Sequence, residues 1–118
     1  MQLKLNQVYQ AESVLKKITN QEMPIKLAYR IQKSVGQLRT EYLRIEDLRM
    51  NLVKKYGEEE NQKLQVKPDQ VQAFVQEFGE LLQEETEIDV TPIKIEDLPD
   101  TIKLSPLEVE LLGFLLVE

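Results

Sequence analysis

Three observations predict a mainly α protein with a small β element. Residues 24–56 carry one unbroken helical pattern, two shorter amphipathic stretches flank it, and only brief alternating runs lie between them. The expected architecture is a single domain over 1–118. It has a long central helix, two shorter antiparallel helices, a short β hairpin or small sheet, and an apolar C-terminal helix.

A short half-buried strand is expected at 1–5, where Met1, Leu3 and Leu5 alternate with Gln2 and Lys4. Asn6 is a suitable N-cap for a helix over 7–19 that places Val8, Ala11, Leu15 and Ile18 on one face. Asn20 to Met23 breaks the pattern, and Pro24 suits the first turn of the next helix. So short a connection predicts an antiparallel helical hairpin.

The long helix over 24–56 repeats Ala28, Ile31, Val35, Leu38, Tyr42, Ile45, Leu52 and Tyr56 at three- and four-residue steps, the spacing of a coiled-coil seam. At ~1.5 Å per residue it is about 50 Å long. Lys54 and Lys55 favour its C-terminal dipole, and Gly57 is expected as a left-handed cap. Gly36, costly inside a helix, marks a candidate close crossing.

Glu58 to Asn61 reads as a polar turn and Lys63 to Val66 as a short strand. Pro68 and Asp69 open a third helix over 69–84, with Val71, Phe74, Phe78 and Leu81 on its apolar face. The first helix is too short to cover the spine, so the third is expected to cover its second half. Residues 87–104 alternate as an extended segment, restricted by Pro92 to an edge strand, a bulge or two short strands. Ser105, Pro106 and Glu108 form a capping box with proline in its preferred place, launching a helix over 106–117. That helix is apolar on nearly every side, through Leu111, Leu112, Phe114 and Leu115 among others. It either plugs the helical arrangement or docks on a partner or a second copy.

Composition excludes much chemistry. The 118 residues contain no cysteine and no histidine, so there is nothing from which to build a thiol centre, a catalytic triad or a zinc site. No catalytic, cofactor-binding or metal-ligating residue is assigned. The acidic clusters at 58–60, 84–89 and 96–100 lack the spacing of a calcium loop and read as solvated surface. An enzyme using carboxylates and a divalent cation ranks third among the function classes. Neither a signal peptide nor a membrane span is expected.

Charge divides the chain. Residues 24–56 carry eight Lys/Arg against three Asp/Glu, whereas 57–118 carry four against sixteen. The two halves face each other, or each faces its own partner. The basic residues of the spine have no interleaved aromatic platform, which together with the net charge of -6 argues against nucleic acid as a partner. Tyr42 and Tyr56 sit on the stripe as core or interface aromatics rather than catalytic phenols. Arg49 interrupts the stripe and must snorkel, pair with a carboxylate or set register, with partner contact as the second role.

Several motifs run the length of the chain: the opening Met1 to Asn6 (Met-Gln-Leu-Lys-Leu-Asn), the helix start Met23 to Tyr29 and the Lys54 to Gly57 end of the spine. The acidic Glu87 to Val90 stretch and the Leu104 to Glu108 helix start complete the set. In these the chain resembles an uncharacterised family of small proteins encoded by tailed phages and prophages of Gram-positive bacteria. The resemblance implies a phage structural, assembly or accessory protein in the cytoplasm of the bacterial host or associated with the virion, and it carries over no active residue. The expected function is therefore non-enzymatic protein interaction, through a protein partner or self-association. The alternative is an acidic inhibitor or regulator of a host protein, including one that binds nucleic acid.

Overall fold

The computed structural model describes residues 1–118, in the order β1 (Gln2–Lys4), α1 (Leu5–Thr19), α2 (Ile25–Tyr56), β2 (Gly57–Glu60), β3 (Lys63–Val66), α3 (Val71–Leu82), β4 (Glu85–Glu87), β5 (Ile93–Lys94), α4 (Pro106–Leu111) and β6 (Leu116–Val117). The molecule measures 49 × 31 × 24 Å. Its long dimension is that of α2, 32 residues at ~1.5 Å each.

The helical hairpin forms as its sequence predicts. Tyr9 stacks on Tyr42 and Glu12 approaches Arg39, so residue numbers fall on one helix as they rise on the other, the mark of antiparallel packing. α1 buries Leu5, Val8, Ala11, Val14, Leu15 and Ile18 against Leu27, Ile31, Val35, Leu38 and Ile45 of α2. The far half of α2 is covered more thinly. There α3 contributes half-buried Phe78, Leu81 and Leu82, and no residue of α3 is fully buried. Leu52 and Tyr56 are half-buried, and Val53 takes the inward place on the last turns.

Three two-stranded sheets tie the helices together. β1 pairs antiparallel with β4, Leu3 opposite Thr86, and Ile88 N–H continues the ladder by donating to Met1 C=O at 3.0 Å. This pairing moves the start of α1 forward. Asn6 is not the N-cap; Lys4 is, its N–H donating to the Gln7 side chain at 2.9 Å while Leu5 N–H donates to Glu84 C=O. Glu84 and the Gln7 side chain thus satisfy the first donors of a helix that starts at Leu5.

The β2–β3 hairpin corrects two expectations. Glu58 to Glu60 is strand rather than turn, and the reversal falls on Asn61 and Gln62, whose φ of 54° and 65° lie in the left-handed region, as in the two-residue turns that match the right-handed twist of the paired strands. Gly57 is not a left-handed cap either; its backbone is extended at φ -116°. Glycine is required there for space, because a Cβ would collide with Val53 C=O and lie 2.5 Å from Gln65 C=O.

The third helix is shorter than 69–84, preceded by a 3-10 turn at Pro68–Gln70 and ending at Leu82. Within 87–104, Ile88, Val90 and Ile93 reach the core, held by α2 side chains: Ser34 Oγ donates to Thr91 C=O at 3.0 Å, and Gln37 Oε1 accepts from Asp89 N–H at 3.0 Å. Ile102 and Leu104 form no strand.

The capping box at Ser105 forms, but the apolar C-terminal helix does not run over 106–117. α4 ends at Leu111, the chain turns through Gly113, and Leu116–Val117 become β6, parallel to β5 with Leu116 opposite Ile93. Backbone groups of 113–117 gain sheet and turn partners, including Ile93 N–H to Leu115 C=O at 2.7 Å. The turn and strand bury Leu112, Leu115 and Leu116 while Val117 faces outward, so the apolar segment needs only one covered side rather than the all-round cover of a helix.

Candidate functional site

α2 presents two stripes. The inner one, from Leu27 to Ile45, is buried by α1 and the C-terminal segments. The outer one consists of Ile25, Tyr29, Gly36, Leu43 and Met50, in which Tyr29, Gly36, Leu43 and Met50 recur every seven residues. No part of the fold covers it: Ile25 is 81% exposed, Tyr29 65% and Leu43 57%. Isolated exposed apolar residues are ordinary on protein surfaces, but a series in coiled-coil register is not. Gly36, a candidate close crossing, meets no other helix of this chain: nothing lies within 4 Å of where its Cβ would stand.

The outer stripe borders a groove of about 700 Å³ between the end of α1 and the first half of α2, lined by Thr19, Met23, Ile25, Tyr29, Val35 and Leu43 among others. Charge around it is one-sided. From Ile25 to Thr40, α2 carries Lys26, Arg30, Lys33 and Arg39 and no carboxylate. Lys26, Arg30 and Lys33 make no ion pair. The acidic half of the chain reaches α2 through a single pair, Lys55 to Glu77 at 2.9 Å, so the two oppositely charged halves do not neutralise each other.

Arg39 lies on the groove and approaches the buried Glu12, Nε to Oε1 at 3.6 Å. The second carboxylate oxygen of Glu12 has no hydrogen-bond partner. Glu12 sits one turn beyond Tyr9 on the apolar side of α1, and its burial was not legible in the sequence.

The residues singled out in the sequence separate into two groups. Tyr42 and Arg49 belong to a half-buried cluster where α1, α2 and α3 meet. Tyr9 lies 5.5 Å from both Tyr42 and Phe78, edge-on to the latter, and Phe74 continues the row. Arg49 pairs with a carboxylate on its own helix: Nε and Nη2 each donate to Glu46 at 3.0 Å. The Arg49 hydrogen bonds hold the Glu46 carboxyl below the usual carboxylate range. Burial, with the Glu46 charge beside it, pushes the Tyr9 phenol up, and the same two influences raise Tyr42. Such phenols stay neutral at ordinary pH and act here as packing groups. Tyr56 is half-buried at the end of α2, its ring 5.0 Å from Lys55 Nζ.

Leu111, Leu112, Phe114 and Leu115 form the second group. Leu112 and Leu115 have no accessible surface, while Leu111 and Phe114 are half-buried against the core. Free apolar side chains also stand elsewhere, Val75 on α3 and Leu107 on α4 among them, but those on the outer face of α2 recur in a heptad. Their signal in the sequence was the seven-residue recurrence from Tyr29 to Met50, overlaid on the stronger inner stripe.

No helix is long and apolar enough to cross a membrane, and no group of three or more carboxylates gathers to hold a metal ion. Compared with family models, curated proteins and solved structures, the chain matches none.

Proposed function

We propose that this chain is a non-enzymatic protein-interaction module, a small structural, assembly or accessory protein of a tailed phage or prophage. The observation that carries the reading is the open outer stripe of α2, apolar residues in coiled-coil register on a helix fixed by its buried inner face. A rigid scaffold that leaves such a stripe uncovered is what a helix-docking protein requires. The phage setting, in the host cytoplasm or on the virion, rests on the motifs from Met1 to Glu108 described above.

A second reading, inhibition of a basic host protein by the acidic half, draws support from the β2–β3 hairpin. Glu58, Glu59 and Glu60 are all exposed there on the strand that leads directly into the turn. The two readings separate on salt. Tagged protein is used to capture partners from a bacterial host lysate at rising ionic strength, alongside light scattering of the purified chain. An apolar contact through α2 persists at high salt, whereas an acidic mimic releases its target steeply. A chain that remains monomeric and retains no partner at any salt overturns both.

A further inference from the structure

The outer face of α2 specifies its occupant more closely than a generic apolar contact does. We infer that it docks an amphipathic helix of another protein, one that carries acidic residues beside its apolar stripe. The inference rests on the interaction reading above and names the surface and the partner chemistry.

Register fixes the occupant as a helix. Ile25 lies one turn before Tyr29, and Tyr29, Gly36 and Leu43 then recur every seven residues, so a partner packing along them meets knobs and holes spaced for another helix. From Ile25 to Leu43 the seam spans about 27 Å, the length of a helix of about 18 residues. Gly36 lies near its middle with open space above its Cα, and there a partner backbone can approach most closely.

Charge fixes the sign of the flanks. On the helical wheel Lys26 and Lys33 lie on one side of the seam and Arg39 on the other, and the first carboxylate of α2, Glu41, faces away from the seam and pairs with Arg44. Glutamates beside the partner's apolar stripe meet these cations, as charged flanking positions do in a coiled coil. The same charges disfavour a second copy as occupant. Antiparallel copies crossing at Gly36 set Lys33 beside Arg39, and parallel copies set Lys33 beside Lys33, so like charges meet at the closest approach. The chain's own acidic half packs elsewhere on α2, and its single ion pair with that helix is at Lys55.

The test uses the full chain and a display library of helices of about 18 residues. Each library member has apolar residues at three/four spacing and flanking positions randomised among Glu, Lys and Gln. Glu-flanked helices are the expected winners. Their affinity should fall about tenfold or more with Lys26→Glu/Lys33→Glu, and again with Gly36→Gln, which blocks the closest approach. Exchanging Glu for Lys on the peptide should restore binding to the double variant. Gly36→Gln meets nothing within the chain, so its circular dichroism should match the wild type. Failure to enrich any helix overturns the inference, as does enrichment without a preference for Glu or binding that ignores Gly36→Gln. Dimerisation of the wild type that Gly36→Gln abolishes overturns it in favour of a second copy. If wild type and Gly36→Gln capture the same lysate partner equally well, this surface is wrong while the interaction reading stands.

Discussion

The two faces of α2 are built from similar residues and meet opposite fates. Leu38 is 1% exposed and Leu43, little more than a turn away, is 57% exposed, although both are leucines in three/four register on one helix. The difference lies in what the rest of the chain supplies. α1 brings Val8, Ala11, Leu15 and Ile18 to the inner face, and residues 88–93 and 112–116 close its edges. No segment returns over the outer face. A stripe in the right period is thus necessary for burial but does not determine which of two stripes is buried.

The largest expected effect separates the faces by stability. Leu38→Ala should cost about 2–5 kcal/mol, because it removes methyl groups from a packed core and leaves a cavity. Leu43→Ala should change stability by less than about 0.5 kcal/mol, as surface substitutions do. Urea denaturation of the two variants measures both. Equal losses would mean that the outer face is covered.

Two glycines sharpen the same contrast. Gly57→Ala should destabilise by about 2 kcal/mol or more, since the new Cβ overlaps backbone carbonyls of Val53 and Gln65 that cannot move independently of the hairpin. Gly36→Ala should stabilise by up to about 1 kcal/mol, because alanine is the better helix former and its Cβ enters open space. Thermal unfolding of the pair should shift in opposite directions.

The smallest effect concerns pH. Arg49 holds Glu46 below the usual carboxylate range, so the pair's contribution is present above that range and is lost as pH falls through the depressed value. The two side chains are partly exposed and only three residues apart, so the contribution is below about 1 kcal/mol. Arg49→Gln should lower stability slightly at neutral pH and flatten its decline in acid. Unfolding midpoints measured from neutral to acid pH check the sign.

The helices were legible in the sequence because their apolar faces are periodic. α1, α2 and α3 lie where Val8 to Ile18, Ile31 to Ile45 and Phe74 to Leu81 predict them, with their ends shifted by a few residues. What was not legible depended on pairing between distant segments. Glu84, just before β4, supplies the partner that starts α1 at Leu5, and β5 draws Leu116 and Val117 out of a helix into a parallel strand. Gly57 was legible as the end of α2 but not for its reason, which is the approach of Val53 and Gln65 carbonyls rather than a left-handed φ. Arg49 stood out as an interruption of the stripe, and Glu46 one turn earlier answers it locally. The outer stripe was present in the sequence as well, but with two stripes on one helix only the tertiary arrangement shows which remains open.

Because the chain lacks cysteine, single spin labels report on the open face without background. Labels are placed at Tyr29→Cys and Leu43→Cys on the outer face, with the exposed Gln76→Cys on α3 as a control. Mobile labels are expected at all three sites in the free protein, and immobilisation at 29 and 43 alone when a Glu-flanked helix is added. Labels at 29 and 43 that are already immobile in the free protein, or that stay mobile with the helix bound, would contradict an open, helix-docking outer face.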